Sequence, residues 1–250
     1  MSFSPDTDQR YARQMILPEF GAQAQAKLSA AKIVIAGAGG LAAPVLYYLA
    51  AAGVGQMTLI DEDRIALSNL HRQILFETAE VGSLKAVAAA ERLQDLNPEI
   101  RLIPQAVRLS EANAASLLGG HDLILDTTDN VATRLLINRM AVQLNIPLIS
   151  GAVLGWAGHV AHLAGQPCYA CLYPEVEQAD ADVACSVSGV MGSVAGIIGS
   201  WQATLAIRAL CGLPDDLRGD MLVIHAAAPS MRRIRIRPVA DCPVCGTEHR

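Results

Sequence analysis

Six cysteines stand in this chain of 250 residues, and four of them form two Cys-x-x-Cys pairs, Cys168 with Cys171 and Cys242 with Cys245. Each pair can present two thiolates to one tetrahedral ion, so together the four make a zinc site. Four thiolates leave no open coordination position, and the role of such a zinc is structural. The second pair lies in Cys-Pro-Val-Cys-Gly, a turn suited to a zinc knuckle. A redox pair or disulfides are the competing chemistry. No thioredoxin-like unit flanks either pair, and residues 1–13 are polar with no apolar signal core, so the expected compartment is the cytoplasm. Cys211 ends an apolar helix and reads as core. Cys185 follows an acidic run at 175–182, expected as a mobile surface loop, and sits where a helix begins. A thiolate is favoured there, and position alone leaves reactive and inert readings open.

A second chemistry lies earlier, where the apolar run 32–36 enters Gly37-Ala38-Gly39-Gly40 and then an apolar helix at 41–52. A strand, a glycine turn and a helix N-terminus form a cradle for phosphate. The spacing Gly37-x-Gly39-x-x-Ala42 fits the dinucleotide fingerprint in its Gly/Ala form. A second strand at 56–60 ends on Asp61, roughly 20 residues past the turn, where a carboxylate accepts from ribose hydroxyls. No Gly-x-x-x-x-Gly-Lys-[Ser/Thr] loop is present, which excludes a P-loop enzyme.

The elements that must position these residues alternate regularly. Helices at 85–96, 110–118 (with Ser110 as N-cap) and 131–144 fall between strands at 101–106, 122–126 and 147–150. Such alternation predicts an α/β doubly wound, Rossmann-like, mostly parallel sheet. A helical arm at 6–27 precedes it. Beyond residue 155 the period changes to strands at 158–163, 221–225 and 232–237, an antiparallel C-terminal extension carrying the knuckle. The expected organisation is an arm at 1–30, a nucleotide-binding domain at 31–155 and a carrier-binding and zinc-knuckle region at 156–250, within one globular unit. Arg232, Arg233, Arg235 and Arg237 interleave with Ile234 and Ile236, the pattern of a half-exposed strand.

In a doubly wound sheet, loops after the strands face one crevice. It would collect Gly39, Gly40, Asp61, Asn69, Arg72, Lys85, Asp129 and, from the arm, Arg13. Several cations and a second aspartate exceed what a dinucleotide needs and suit ATP with Mg2+, Asp129 holding the ion. Taken singly, each reads first as an ordinary solvated loop or helix charge. A net charge of −5 with no basic stripe excludes nucleic acid as a natural partner. A hydrophobic fraction of 52% points to a subunit interface. Two uncharged runs, 37–60 and 187–207, are long enough to span a membrane. The first is broken by glycines, and the second, with Ser193, Ser200, Gln202 and Thr204, reads as a buried or interfacial helix.

Several motifs in order resemble one family. They are Arg-Tyr-x-Arg-Gln at 10–14, Gly-x-Gly-Gly-Leu at 37–41, Asp-x-Asp then Ser-Asn-Leu-x-Arg-Gln at 61–73, Lys85, Thr-Asp-Asn at 128–130, and both Cys-x-x-Cys pairs. The chain resembles the ubiquitin-activating-enzyme superfamily in its bacterial ThiF/MoeB/HesA branch, from about Arg10 to Gly246. The resemblance implies a homodimeric adenylyltransferase that uses magnesium ATP to activate the C-terminal glycine of a small ubiquitin-like sulfur-carrier protein ending in Gly-Gly. It implies Asp61 on the ribose, Asn69, Arg72 and Lys85 on the phosphates, Asp129 on the magnesium, Ser68 and Asn130 as further nucleotide-binding residues, and Arg13 reaching across from the second subunit. Cys185 falls at a cysteine implicated in sulfur transfer in ThiF-like members, with a cysteine desulfurase or other sulfur donor as a further partner. Short echoes at 152–156 and 171–174 lean towards the ThiF, thiamine-thiazole type over the MoeB, molybdopterin type. Ala42 for a third glycine, no arginine inside the first knuckle, and His159 where glutamine is frequent depart from the pattern. No rhodanese domain is expected after the knuckle. A nicotinamide oxidoreductase would leave Arg13, Arg72 and Lys85 unexplained, and a catalytically silent scaffold would not need the phosphate-facing set.

Overall fold

The computed structural model describes residues 5–173, 189–214 and 217–246. In chain order the elements are α1 (Pro5–Met15), α2 (Gly21–Ala30), β1 (Lys32–Ala36), α3 (Ala42–Ala52), β2 (Gln56–Ile60), α4 (Lys85–Leu96), β3 (Arg101–Gln105) and α5 (Ala114–Leu118). They continue with β4 (Leu123–Asp126), α6 (Val131–Leu144), β5 (Leu148–Leu154), β6 (Ala157–Leu163), α7 (Tyr169–Leu172), α8 (Gly192–Cys211), β7 (Asp220–His225) and β8 (Ser230–Arg235).

The strands form one sheet of order β3-β2-β1-β4-β5-β6-β7-β8. The first five are parallel and the last three antiparallel, as the change of period predicts. Strands covered on both faces read as continuous apolar runs, and their alternate residues feed two cores. Ile33, Ile35, Met57, Leu59, Leu123 and Leu125 pack with α2, α3, α4 and α8. Val34, Ala36, Ile60, Ile124 and Leu148 pack with α5, α6 and the cysteine region. Each fully buried Leu or Ile contributes about 1.5–3 kcal/mol of transfer free energy.

Register then does what positions the site. Ala36 lies level with Ile60 on one side and with Asp126 on the other. The glycine turn, Asp61 and the segment from Thr127 therefore leave the sheet at one edge, at the point where strand order reverses between β1 and β4.

Several expectations are corrected. The arm is two helices, because Pro18 falls between them and Gly21 takes φ +64°. α5 begins at Ala114, four residues late: Asn113 Oδ1 accepts the Ser110 N–H at 2.8 Å, so a turn occupies 110–113 and Ser110 is no N-cap. β5 runs on to Leu154 because its second half pairs with β6 residue for residue. β8 starts at Ser230 and is exposed along all six residues, a sheet edge rather than a half-exposed strand. Its Arg235 lies 2.5 Å from the buried carboxylate of Asp220, which Arg233 also meets.

The apolar run 187–207 becomes α8, whose described helix is Gly192–Cys211. By length and composition it could cross a membrane. It is instead laid on the sheet, with Val194, Ala195, Ile198, Ala203 and Leu205 buried. A Cβ on Gly199 would fall 2.3 Å from the Leu41 carbonyl, so this glycine lets α8 seat against the start of α3. Gln202, wholly buried, donates to the Asp126 carbonyl at 2.8 Å.

Candidate nucleotide site and cysteine cluster

The crevice is built from the glycine turn outward. Gly37 takes φ +93°, and a Cβ there would sit 3.1 Å from the Thr127 carbonyl, so only glycine allows the turn to pass the end of β4. Thr127 Oγ1 donates to the carbonyls of Ala36 and Gly37 at 2.8 Å, fastening β1 to β4 at that point. α3 opens beyond Gly39 and Gly40 with no capping side chain and no acidic residue in its first turn. The Ala43 N–H already bonds the Gly39 carbonyl at 3.1 Å and Pro44 has none, so the donors left for an anion are those of Gly39 and Gly40 in the turn and of Leu41 and Ala42.

Asp61 sits against this turn. Its Oδ2 accepts the Ala38 N–H at 2.7 Å and its Oδ1 the Asp63 N–H at 2.8 Å. Burial pushes its carboxyl above the ordinary value of 3.8, while the Ala38 amide and the Lys85 charge pull the other way. Each oxygen keeps a lone pair for a ribose hydroxyl.

The expected cations line the same edge. Lys85, 5% exposed at the start of α4, holds Asp63 Oδ2 at 2.8 Å and keeps two further N–H donors. Arg72 packs beside Gly40, and its Nη1 donates to the Ser68 carbonyl at 3.1 Å and meets His71 Nε2 at 2.8 Å. Asn69 lies in a short 3-10 turn, Leu67–Asn69, where its Oδ1 accepts the Ala66 N–H. Asp129 is exposed at the crevice, one residue before Asn130. The Asn130 side chain accepts the Thr133 N–H at 2.8 Å and caps α6, which fixes its Oδ1 and leaves its Nδ2 donors for a ligand.

Arg13 is not in this crevice. Tyr11, 3% exposed, hydrogen-bonds with Asn97, and Gln14 donates to the Ala52 carbonyl at 2.9 Å. These bonds pin α1 at the far end of α3, about 16 Å of helix away from the cradle. Arg13 cannot serve the site of its own chain. Cys185 and the acidic run 175–182 lie outside the described residues.

Beneath the crevice is a hub that the sequence did not disclose. Asp126, fully buried, accepts from Ser150 Oγ at 2.7 Å and from the Thr128 N–H and Oγ1 at 3.0 and 2.6 Å. The Arg134 guanidinium lies 3.2 Å from Asp126 Oδ2. In the chain, Asp126 reads as a strand end and Arg134 as an ordinary helix charge. Only Arg134 recurring four residues before Asn138 on one helical face hints at burial.

The four cysteines come together. Their sulfurs lie within 4.8 Å of one another, with Cys168 and Cys242 Sγ at 3.8 Å and Cys171 and Cys245 Sγ at 3.4 Å. Tetrahedral Zn–S bonds of about 2.3 Å put sulfurs roughly 3.8 Å apart, whereas a disulfide needs about 2.05 Å. The donors fit a thiolate-bound zinc and not a disulfide. Burial pushes the Cys168 and Cys245 thiols up, while against burial the backbone amides of Cys245 and Val244 hold the Cys242 thiol down; a bound cation would favour the thiolates. Cys211 is core as expected, 3% exposed, its thiol pushed up to about 11 by burial.

A glycine turn, a half-buried carboxylate and converging cations at the switch point define the class: a doubly wound α/β protein with a crevice suited to a nucleotide and a separate cluster of four cysteines that could hold a metal ion. The chain belongs to the ThiF family, whose model matches residues 11–244. It is 42% identical to a sulfur carrier protein adenylyltransferase of Thermus thermophilus, over 99% of this chain and 94% of that one. It is 41% identical to the adenylyltransferase and sulfurtransferase MOCS3-1 of Zea mays, covering 98% of this chain but 53% of the relative. The chain thus spans about half the length of its MOCS3 relatives. Among solved structures, the E. coli microcin C7 biosynthetic enzyme MccB with N-formylated MccA superposes with a TM-score of 0.84 at 23% identity, over 98% of this chain and 77% of that one, a likeness of fold.

Proposed function

We propose that this protein is an ATP-dependent adenylyltransferase that activates the C-terminal glycine carboxylate of a small ubiquitin-like sulfur-carrier protein. The observation that carries this reading is the level ending of β1, β2 and β4, which gathers Gly39, Gly40, Asp61, Arg72, Lys85 and Asp129 on one crevice. The names of its ThiF-family relatives support the same chemistry. A carboxylate is already a nucleophile at neutral pH and needs no general base. Its oxygen bonds to the α-phosphorus, the bond to the β-phosphate bridge breaks, and pyrophosphate leaves with the electron pair. Arg72 and Lys85 neutralise the phosphoryl charge, Asn69 and the α3 amides hold it in place, and Asp61 orients the ribose. Asp129 would hold the magnesium, which supplies further neutralisation. Zinc in the cysteine cluster is structural.

The reading extends to a homodimer. A groove of about 740 Å³ runs between α3 and α8, lined by Tyr47, Tyr48, Ile74, Ile197 and Trp201. It reaches from Ile74, two residues past Arg72, to Thr204, beside a hollow bordered by Gln14 of α1. A two-fold contact across this face would carry one copy's Arg13 toward the other copy's crevice. Arg13→Ala and Asp129→Ala should each be inactive, and mixing them should restore about one quarter of wild-type activity, since half of randomly formed dimers hold one complete site of two. No recovery after subunit exchange would refute the shared site.

The carrier is proposed to dock on residues 156–250, where Trp156, Met231 and Ile234 are exposed. The echoes at 152–156 favour a thiamine-type carrier, with a molybdopterin-type carrier as the second reading. Cys185 is proposed for sulfur transfer, fed by a cysteine desulfurase or other donor, in the cytoplasm. Exchange of labelled pyrophosphate into ATP, with each carrier intact and then without its terminal glycine, tests the proposal. Exchange with one intact carrier, lost on truncation, supports it and names the pathway; binding of ATP without exchange on any Gly-Gly carrier overturns it.

The Asp61 environment adds a pH signature. A carboxylate whose folded value is raised accepts from ribose only above that value, so ATP affinity should fall with decreasing pH earlier than an ordinary aspartate at 3.8 would impose. Calorimetric titration of MgATP across the acid range should show this fall, and in Asp61→Asn a weaker and flatter profile. Identical profiles would remove Asp61 from the ribose.

A further inference from the structure

Asp129 is pinned from both sides by groups that never touch the crevice. On one side Thr128 is clasped at three points: its N–H and Oγ1 by Asp126 Oδ1, and its carbonyl by Arg134 Nη2. On the other, Asn130 caps α6. Arg134, 7% exposed, is the turning point of this arrangement. Its guanidinium faces Asp126 and Thr128, and the same group lies 5.7 Å from the centre of the Tyr169 ring, with Nη1 at 3.4 Å from the Tyr169 hydroxyl.

Tyr169 follows Cys168 directly. Its N–H donates to Asn138 Oδ1 at 2.8 Å, and Asn138 Nδ2 reaches Cys168 Sγ at 3.5 Å. Arg134 and Asn138 stand one turn apart on α6, so one buried helical face touches the Asp129 segment at one end and the metal cluster at the other. The path is continuous and desolvated throughout: Asp126, Arg134, Asn138, Tyr169 and Cys168 are all buried. In such surroundings a displaced partner leaves a polar group unpaired, so the members hold one arrangement or lose it together.

We infer that Arg134 is a positioning residue that couples the cysteine-bound zinc to the Asp129 segment, so that zinc and magnesium ATP strengthen each other's binding. The inference rests on the adenylyltransferase reading of the crevice. Zinc holds Cys168, Cys168 sets Tyr169, and Tyr169 with Asn138 fixes the face on which Arg134 presents its fork to Thr128. Coupling between two binding equilibria is reciprocal, which makes it measurable from the zinc end.

The apparent zinc affinity of the full chain is measured by competition with a zinc-selective chromophoric chelator, with and without MgATP, alongside calorimetry of MgATP binding. In the wild-type protein MgATP should raise zinc affinity about fivefold or more. Arg134→Met should bring the ratio to one. Because that variant leaves Asp126 unpaired and can fail to fold, Tyr169→Leu is measured too; it keeps the Arg134 contacts to Asp126 and Thr128 while removing the ring. It should lower the ratio and raise the magnesium concentration at half-saturation of exchange, leaving the carrier KM unchanged, a split that general loosening of the fold would not produce. Equal zinc affinity with and without MgATP, in a wild-type protein that binds MgATP, overturns the coupling alone. Failure of the wild-type protein to bind MgATP overturns both the coupling and the adenylyltransferase reading.

Discussion

Replacing Asp129 by alanine is expected to abolish carrier-dependent pyrophosphate exchange, by about 10³-fold, while leaving thermal stability within about 0.5 kcal/mol of wild type. The two halves of that expectation come from the same geometry. The Asp129 side chain is exposed, and its neighbours are held by other groups, Thr128 by Asp126 and Arg134, Asn130 through its own cap on α6. Removing the Asp129 carboxylate therefore removes the ligand proposed for magnesium and no structural bond among the described residues. Three residues earlier the outcome reverses. Asp126→Ala would strip the partner from buried Arg134 and release Thr128 and Ser150, a loss of roughly 3–5 kcal/mol, the range for breaking one half of a buried ion pair. Exchange assays paired with thermal melts on both variants separate the roles. An active Asp129→Ala would remove the magnesium assignment, and a fully stable Asp126→Ala would remove the hub.

Removing zinc should have the second large effect. The segment from Ile236 to Cys245 has few apolar anchors of its own, and Cys242 and Cys245 are buried against Cys168 and Cys171 next to the α6 core. Without an ion, the weak contacts between sulfurs are all that ties the two pairs together, and burial pushes the Cys168 and Cys245 thiols towards their neutral forms. Metal binding to such a set is folding free energy for the segment it closes. Cys242→Ser, or chelation under partly denaturing conditions, should lower stability by about 3–5 kcal/mol, read as a fall of roughly 10 °C in Tm for a chain of this size. The purified protein should carry one zinc per chain by elemental analysis. A protein that is metal-free and melts identically with and without chelator would show the cluster to be four buried thiols and nothing more.

The repeating elements were legible in the residues. β1, β2, α4 and α6 begin and end where their apolar periods and turn residues say, because periodicity and turn chemistry are local properties of a few consecutive side chains. The glycine turn and the Cys-x-x-Cys pairs were legible for the same reason: each is a constraint that a short segment carries by itself. α5 was misread because Ser110 and Asn113 compete for the same cap, and a side-chain turn won over a helical one.

What the chain determined alone was therefore a set of elements, a glycine turn and two cysteine pairs. What only the tertiary structure decided was who meets whom. Asp126 and Arg134 look like a strand end and a surface charge until β4 is set beside β1 and α6 is laid over Tyr169, and only then do they become the buried pair that holds the Asp129 segment. Arg13 looks like a member of the crevice until α1 is pinned by Tyr11 and Gln14 at the opposite end of α3. The physical reason is common to both. Arg134 meets Tyr169 35 positions on and Tyr11 meets Asn97 86 positions on, contacts set by sheet order and helix packing that no local pattern carries.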